Sequence, residues 1–354
     1  MATNKLFPQA VELLKSLIST SSFSKEEDQT AAIIAVFLKA NGVEIRTKGN
    51  NVWAYNKYFD VQKPTILLNS HHDTVRPNKS YIRNPFSPDV EDGKIYGLGS
   101  NDAGGALVSL IATFLHFYKQ ENLKYNIILA TTAEEENSGN GGLESIIPEL
   151  GDLEFAIIGE PTFMDLAIAE KGLLVLDCVV KGKSGHAARE EGDNAIYKAL
   201  KDIVWFQNYR FDKVSESLGS IKMSVTIINA GTQHNVVPDT CQFTVDVRVT
   251  DAYTNEEVIA KIRECVDCEV IPRSVRLKPS SIPKEHLIVQ TGIALGKKTY
   301  GSPTTSDQAL LSIPSLKCGP GDSGRSHTAD EYIHLKEIEE GIEGYIKMLE
   351  AAVN

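Results

Sequence analysis

The stretch Thr65–Thr74 constrains the fold of this 354-residue chain more than any other. Its apolar run with β-branched residues predicts a buried strand, which stops abruptly at His71, His72 and Asp73. Residues two apart in a strand point the same way, so His71 and Asp73 can aim at one point beyond the carboxyl end. Open α/β sheets bind ligands at that edge, and a carboxylate beside an imidazole fixes a metal-binding histidine. The alternative is a polar turn without chemistry.

Two further predicted strands end in acidic side chains. Residues 126–131 lead into three consecutive glutamates at 134–136, and residues 155–158 lead into Glu160. Adjacent carboxylates repel each other unless cations or solvent compensate. One interpretation is a solvated acidic loop. The other is that one glutamate binds a metal while its neighbour deprotonates a water molecule.

Asp102 follows a segment rich in glycine, at Gly97, Gly99 and Gly104. A dinucleotide-binding fingerprint needs its glycines directly after a buried strand and an acidic residue about 20 residues further on. The spacing here does not fit that pattern. We therefore interpret the segment as a tight turn that presents Asp102 just before a helix over residues 106–117.

The first 60 residues show no predicted chemistry. Residues 24–27, Ser-Lys-Glu-Glu, have the pattern of a helix capping box, and the apolar run 31–38 follows. Gly42 is expected to end that helix. We expect this part of the chain to be structural.

The pattern changes from residue 172 onward. The order strand, helix, strand, strand, helix, strand predicts an inserted ferredoxin-like α+β domain of about 105 residues, a normal domain size. We expect a catalytic domain formed by residues 1–171 and 280–354, with the inserted domain at residues 172–279.

Charge and composition exclude several classes of protein. A formal net charge of −11 argues against nucleic acid as a partner. No apolar run approaches the ~20 residues of a membrane-spanning helix, and no secretory signal is expected. The five cysteines indicate reduced thiols and a cytoplasmic protein. Cys265 and Cys268 form the only close pair, and a redox role for them is the alternative.

The polar groups at the predicted strand ends and loops form one set: His71, Asp73, Asp102, Glu135, Glu136, Glu160 and His327. Imidazoles and carboxylates together suit a pair of zinc ions. Calcium prefers oxygen ligands alone, and iron–sulfur clusters need thiolates. A carboxylate such as Asp102 can bridge two metals ~3.5–4 Å apart.

Seven motifs occur along the chain: Ser-His-His-Asp-Thr-Val, Tyr-Gly-Leu-Gly-Ser-Asn-Asp, Ala-Glu-Glu-Glu, Gly-Glu-Pro-Thr, Gly-His-Ala, Asn-Val-Val-Pro-Asp and Gly-Pro-Gly…His-Thr-Ala-Asp-Glu. In this order they resemble the two-zinc amidohydrolase and exopeptidase family of acetylornithine deacetylase, succinyl-diaminopimelate desuccinylase, aminoacylase and carboxypeptidase G. The resemblance covers nearly the whole chain. It implies an α/β catalytic domain with a mixed sheet and an inserted lid and dimerisation domain.

The resemblance also implies roles in the catalytic domain. The metal ligands would be His71, Asp102, Glu136, Glu160 and His327. Asp102 would bridge two zinc ions, with cobalt possible in one site. Asp73 would orient His71, and Glu135 would act as general base and acid.

In the inserted domain the resemblance singles out His186, Asn235 and Arg248. His186 would reach the active site of a partner subunit and help hold the developing oxyanion, which implies a homodimer. Asn235 and Arg248 would bind substrate oxygens, and the guanidinium of Arg248 suits a carboxylate.

The sequence departs from the family pattern at His72, Arg76 and Glu134. Alternation along the strand sends His72 to the opposite face. Arg76 adds a cation near the mouth of the site, where it could contact substrate. Glu134 stands where the family commonly has aspartate, which leaves a one-residue ambiguity. Alignment on the preceding Thr-Ala favours Glu135 as base and Glu136 as ligand.

The expected reaction is metal-dependent hydrolysis of an N-acyl amino acid, most similar to the conversion of N-acetylornithine to ornithine and acetate in arginine biosynthesis. A close alternative is desuccinylation of N-succinyl-ornithine or N-succinyl-diaminopimelate, with Arg76, Arg273 or Arg276 accepting the extra carboxylate. Dipeptide hydrolysis is another alternative. From a different class, the chain could be an inactive, metal-bound binding module.

Overall fold

The computed structural model describes residues 3–353. Its helices are α1 (Thr3–Ile18), α2 (Asp28–Ala40), α3 (Gly105–Phe117), α4 (Leu143–Leu150), α5 (Ala195–Asn208), α6 (Asn255–Cys265), α7 (Leu287–Ala294) and α8 (Leu335–Val353). Among these residues, no helix combines the length and the apolar character needed to cross a membrane.

The strands are mostly short. They are β1 (Arg46–Lys48), β2 (Asn51–Tyr55), β3 (Thr65–His71), β4 (Val90–Glu91), β5 (Lys94–Tyr96), β6 (Asn126–Thr132), β7 (Phe155–Ile158), β8 (Leu166–Glu170), β9 (Gly172–Lys181), β10 (Gly185–His186), β11 (Lys222–Ala230), β12 (Val236–Val237), β13 (Thr240–Val249), β14 (Glu269–Pro272), β15 (Ser280–Ser281), β16 (Thr299–Ser302), β17 (Ser315–Lys317) and β18 (Tyr332–His334).

The chain divides into two compact units. The first comprises residues 1–168, 281–300 and 306–354, and the second comprises residues 169–280 and 301–305. Each unit has its own sheet and its own apolar core.

The first unit is built on a nine-stranded sheet with the order β1-β2-β6-β3-β7-β17-β8-β15, and β16 also pairs with β8. The strands β6, β3, β7 and β17 run parallel, whereas β2 and β8 are antiparallel to their neighbours in this group. The predicted mixed α/β sheet is therefore confirmed. Strands β3, β6 and β7 are buried along their whole length, which explains their continuous apolar sequences.

The two faces of this sheet carry separate apolar clusters. Along β3, Ile66 and Leu68 belong to the larger cluster, which also includes residues of α1, α3 and α8, and Leu67 belongs to the smaller one beside α4. Because side chains alternate along a strand, His71 lies on the face of Leu67 and His72 follows the opposite face.

The second unit contains a four-stranded antiparallel sheet with the order β11-β13-β9-β14. Its elements follow the chain as strand, helix, strand, strand, helix, strand, which is the predicted ferredoxin-like order. Buried and half-buried residues alternate along β9, as in a sheet with one covered face. Strand β11 lies at the edge, and its residues from Thr226 to Ala230 are all exposed.

The predicted capping box is wrong. Helix α2 begins at Asp28, and its N-cap residue Glu27 makes no capping hydrogen bond through its side chain. The hydroxyl of Ser24 instead donates to Asp73 Oδ2 at 2.7 Å. A long-range contact has therefore replaced the local one that the sequence pattern suggested.

Candidate metal centre and catalytic site

The register of the first unit's sheet brings the polar strand ends to one edge. His71 of β3 lies beside Thr132 of β6, and Asn69 of β3 lies beside Ile158 of β7. All three strands are parallel, so the loops after them leave the sheet on the same side. Those loops carry the acidic triplet and Glu160.

Asp102 lies between two histidines. Its Oδ1 is 3.5 Å from His71 Nε2, and its Oδ2 is 3.6 Å from His327 Nε2. Glu160 Oε1 lies 3.8 Å from His71 Nε2. Glu136 Oε2 lies 3.0 Å from His327 Nε2. The Asp102 carboxylate therefore lies near both histidines, with Glu160 beside the first and Glu136 beside the second.

These residues fit a metal centre by a direct structural criterion. The buried Nε2 of His71 has no hydrogen-bond partner among the described residues, although it faces several carboxylates. One possible ligand atom from each of His71, Asp102 and Glu136 lies within 4.8 Å of the others, and the same holds for His71, Glu135 and Glu160. Imidazole nitrogen and carboxylate oxygen together suit a borderline divalent cation.

Asp73 orients more than one residue of the site. Its Oδ1 is 3.4 Å from His71 Nδ1, which also lies 3.0 Å from the Asp73 carbonyl oxygen. The backbone N–H of Glu135 donates to Oδ1, and that of Glu136 donates to Oδ2, each at 3.1 Å. With the Ser24 hydroxyl as a further donor, the carboxylate fixes the histidine and the two glutamates relative to one another.

Glu134 belongs to its own loop. Its carboxylate accepts a hydrogen bond from Gly141 N, and its backbone N–H donates to the buried carboxylate of Glu27 at 3.2 Å. A side chain at Gly139 would collide with Glu134, so the loop is built around this carboxylate. The structure thus leaves Glu135 and Glu136 as the members of the triplet that face the centre.

His72 lies outside the centre. Its Nδ1 is 2.9 Å from Thr30 Oγ1, and its Nε2 is 2.9 Å from the carbonyl oxygen of Asn50. Burial lowers the pKa of this imidazole, which favours its neutral form. Both ring nitrogens are therefore engaged in structural contacts.

The titration of the site follows from the crowding of buried carboxylates. Burial raises the pKa of Glu135 well above its usual range, and Glu160 and Asp307 add to the effect although His71 opposes it. Burial likewise raises the pKa of Glu160 to about 8. The hydrogen bond to Glu136 raises the pKa of His327 to about 9. A bound cation would favour the ionised carboxylates. The raised pKa values therefore describe the metal-free protein.

Burial lowers the pKa of His71, but the carboxylates of Asp102 and Asp73 outweigh it and raise this pKa well above its usual value. In the metal-free protein the acidic neighbours therefore favour the doubly protonated form of this imidazole. A metal ion would have to displace the proton on Nε2 before it could bind that atom.

Sequence reasoning missed a buried hydrogen-bond chain behind the centre. The side-chain N–H of Asn69 donates to Thr132 Oγ1 at 2.9 Å, and the Thr132 hydroxyl donates to Asp307 Oδ2 at 2.8 Å. Asp307 is one of the carboxylates that raise the pKa of Glu135. The short polar run before Asp307 was visible in the sequence, but nothing local indicated its partner.

Glu331 is a second residue that sequence reasoning left without a role. It is 2% exposed and accepts backbone hydrogen bonds from Gly99, Asn101 and Asp102. Burial and the Asp102 carboxylate raise the pKa of Glu331 to about 8, and the three N–H donors act in the opposite direction. Its position at the end of the His-Thr-Ala-Asp-Glu motif was the one feature of the sequence that could have indicated a role for it.

The predicted residues of the inserted domain lie in the second unit. His186 of β10 pairs with Val236 of β12, so the segments of His186 and Asn235 are neighbours, and both residues are exposed. Arg248 donates from Nε and Nη2 to the two carboxylate oxygens of Asp246, at 2.8 and 3.0 Å. Its Nη1 donates to Thr305 at 3.1 Å.

Two of the arginines considered for an acyl carboxylate already pair with acids. Arg76 Nη2 lies 2.9 Å from Glu26 Oε1, and its guanidinium covers the ring of Phe23 at 4.3 Å. Arg273 binds both carboxylate oxygens of Asp177, at 2.8 and 2.9 Å. An acyl carboxylate would have to compete with these existing pairs.

Comparison with known proteins agrees with this geometry. Residues 67–351 match the sequence profile of peptidase family M20/M25/M40. A succinyl-diaminopimelate desuccinylase of Wolbachia pipientis (strain wPip) is 27% identical over 365 residues, covering 93% of this chain and 89% of that protein. An acetylornithine deacetylase of Buchnera aphidicola is 28% identical over 362 residues, covering 94% of each protein.

The fold agrees as well. The crystal structure of an M20 family metallo-carboxypeptidase from Sulfolobus solfataricus superposes with a TM-score of 0.77, at 17% identity, covering 96% of this chain and 98% of that one. The profile match spans most of the chain and includes every residue of the candidate centre. The chain therefore belongs to peptidase family M20/M25/M40 and is a metal-dependent amidohydrolase.

Proposed function

We propose that this protein hydrolyses the amide bond of an N-acyl amino acid at a centre that binds two zinc ions. The observation that carries the proposal is the position of Asp102, whose two oxygens lie 3.5 and 3.6 Å from the Nε2 atoms of two different histidines. In this assignment Asp102 would be shared between the two ions. His71 and Glu160 would complete one site, and Glu136 and His327 would complete the other, with cobalt able to replace zinc in one of them.

Ions held by these residues would supply Lewis-acid chemistry to the substrate carbonyl and to a water molecule. Glu135 lies beside the centre, with Oε2 4.0 Å from His71 Nε2. We assign it the proton transfers. Its carboxylate accepts a proton from the attacking water and later donates it to the leaving amine. The acyl carbon gains the hydroxyl group as its bond to nitrogen breaks, so the products are a carboxylic acid and a free amino acid.

Three residues of the second unit complete the proposal. His186 from a second copy of the chain would donate a hydrogen bond to the developing oxyanion, and Asn235 would bind a substrate oxygen. Arg248 binds the substrate carboxylate through the N–H groups that Asp246 and Thr305 leave free. The exposed positions of His186 and Asn235 are compatible with contact to a substrate.

We further propose that the protein is a homodimer. Strand β11 is an edge strand of nine residues, and Ile227 and Ile228 on it are 50% and 52% exposed. Helix α5 of the same unit exposes Tyr197 and Val204, at 73% and 53%. A long, apolar, exposed edge strand is a template for pairing with another chain, and a second copy could cover both elements.

N-acetylornithine is the substrate that we propose first, with ornithine and acetate as products of a cytoplasmic step in arginine biosynthesis. Similarity to an acetylornithine deacetylase over 94% of each protein supports it. The five cysteines are free, as expected of a cytoplasmic protein. The second candidate is removal of a succinyl group from N-succinyl-ornithine or N-succinyl-diaminopimelate, which the similarity to a desuccinylase favours.

The deciding experiment measures kcat/KM of the zinc-loaded protein for N-acetylornithine, N-succinyl-ornithine and N-succinyl-diaminopimelate, with a dipeptide as a fourth substrate. A preference for the acetyl compound of tenfold or more, on the order of 1.4 kcal/mol, supports the first assignment. Preference for a succinyl compound moves the assignment to the second candidate. Turnover of the dipeptide alone, or of none of the four, contradicts the proposal.

A further inference from the structure

We propose that Glu331 is a positioning residue that holds Asp102 and His327 at the distance required for a shared metal centre. This inference rests on the proposed function only where it treats these two residues as metal ligands. The side chain of Glu331 accepts hydrogen bonds from the backbone of the loop that carries Asp102, so we expect it to act through that backbone.

The contacts of Glu331 enclose that loop. Its Oε1 accepts from Asn101 N at 2.8 Å and from Asp102 N at 2.9 Å, and its Oε2 accepts from Gly99 N at 3.0 Å. Its carbonyl oxygen also accepts from Gly97 N at 2.9 Å. One residue therefore satisfies four backbone N–H groups between positions 97 and 102.

The shape of the loop requires such an acceptor. Gly99 has a φ of +75°, and a side chain there would collide with Thr74, so the chain turns sharply at this point. Successive N–H groups in a turn of this kind converge on one concave point, which suits a carboxylate. Without Glu331, the buried N–H of Asn101 and the part-buried N–H groups of Gly99 and Asp102 would lose their acceptor, which is unfavourable.

Glu331 also fixes the segment that carries His327. The next residue, Tyr332, begins β18, which pairs with β5 just before the Asp102 loop. On the other side, Asp330 Oδ1 accepts from the backbone N–H of Ile82 and Arg83, at 3.0 and 2.8 Å. The segment from His327 to Tyr332 is thus attached to the Asp102 loop mainly through Glu331.

The relative position of the Asp102 and His327 side chains depends on the contacts of Glu331 with the Asp102 loop. Asp102 and His327 are 225 positions apart in the sequence, yet their side chains lie 3.6 Å apart. If the loop and the segment shift relative to each other, Asp102 loses its position between the two histidines. We therefore expect loss of the Glu331 contacts to weaken metal binding before it affects the rest of the fold.

The test compares Glu331→Gln with Asp202→Asn. Glutamine has the same shape as glutamate, but one of its two oxygens is replaced by an –NH2 group. That group is a donor, so it cannot accept from a backbone N–H, whichever protonation state Glu331 has. Asp202, in the second unit, is the matched control because it is 1% exposed and its carboxylate accepts from the backbone N–H groups of Asp267 and Cys268.

Two quantities are measured for each full-length protein: the zinc dissociation constant, by competition with a chelating dye, and the melting temperatures of the metal-free and zinc-loaded forms. We expect Glu331→Gln to weaken zinc binding about 10- to 100-fold and to narrow the difference between the two melting temperatures. Asp202→Asn should lower both melting temperatures together and leave zinc affinity within about twofold, since it only destabilises the fold.

Wild-type zinc affinity in Glu331→Gln would overturn the inference, and so would equal weakening in both variants. If Glu331→Gln fails to fold, Glu331→Asp makes the same test, because a carboxylate one methylene shorter cannot reach all three N–H groups. It should bind zinc at least about fivefold more weakly, and wild-type affinity would again overturn the inference. Zinc affinity is measured without substrate, so a failure of the proposed reaction remains distinguishable from a failure of this inference.

Discussion

The two units of this chain use β-strands in opposite ways. In the first unit, β3, β6 and β7 are buried on both faces, and polar side chains gather only where these parallel strands end. In the second unit, β9 alternates between buried and half-buried residues, and β11 exposes much of its length at the sheet edge. The difference suits the roles that we propose for the two units, a frame for chemistry in the first and surfaces for contact in the second.

The largest expected effect tests the chemistry of the first unit. Glu135→Gln removes the carboxylate to which we assign the proton transfer, so kcat should fall at least about 10³-fold while zinc content stays unchanged. The control is Glu134→Gln, because the Glu134 carboxylate binds Gly141 N within its own loop. Steady-state kinetics on the two zinc-loaded variants measure kcat. An equal fall in kcat for both substitutions would contradict the assignment of Glu135.

The adjacent histidines of β3 offer the next comparison. His71→Ala should abolish stoichiometric zinc binding, because Nε2 of His71 faces the carboxylates of the centre. His72→Ala should keep its zinc and lose about 1–3 kcal/mol of stability, since it leaves the buried contacts to Thr30 and Asn50 unmade. Metal analysis and denaturant unfolding measure the two effects. Zinc loss in the His72 variant would contradict the assignment of metal binding to His71 and of a structural role to His72.

A smaller effect concerns pH. In the metal-free protein the pKa of His327 is raised to about 9 and that of Glu160 to about 8, so both groups hold protons at neutral pH. Zinc has to displace these protons, and its affinity should therefore rise with pH between about 6.5 and 9, by up to about tenfold per pH unit for each proton displaced. Dissociation constants at three pH values in this range test the prediction. A flat or falling affinity would contradict it.

The smallest effect on the folded chain itself belongs to the second unit. Ile228→Lys places a charge on the exposed part of β11, so it should change the free energy of unfolding by no more than about 0.5 kcal/mol but shift a dimer towards monomer. Val36→Lys, at a position 68% exposed on α2, is the control and should leave the oligomeric state unchanged. Light scattering after gel filtration distinguishes the outcomes, and an unaltered mass for Ile228→Lys would exclude β11 as the contact surface.

The sequence predicted well what depends on burial. The parallel strands of the first unit are continuous apolar runs, so their positions and polar ends were visible in the sequence. The order of elements in the second unit also followed from periodicity, because alternation in strands and helical spacing are local properties.

Contacts between distant segments could not be predicted in this way. Ser24 and Glu27 have the pattern of a helix cap, but they bind Asp73 and the backbone of Glu134, far away in the sequence. The N–H donors to Glu331 are likewise about 230 residues distant. No local pattern encodes such pairings. The partner of Arg248 was more accessible, because Asp246 lies two residues away in the same strand and must point to the same side.

The proposed pair of zinc ions is tested most directly by zinc-edge X-ray absorption of the protein loaded with two equivalents of zinc. We predict nitrogen and oxygen ligands only, together with a second zinc ion at ~3.5–4 Å, as expected of two ions that share the Asp102 carboxylate. Sulfur scattering at ~2.3 Å, or zinc ions without a metal neighbour, would contradict it.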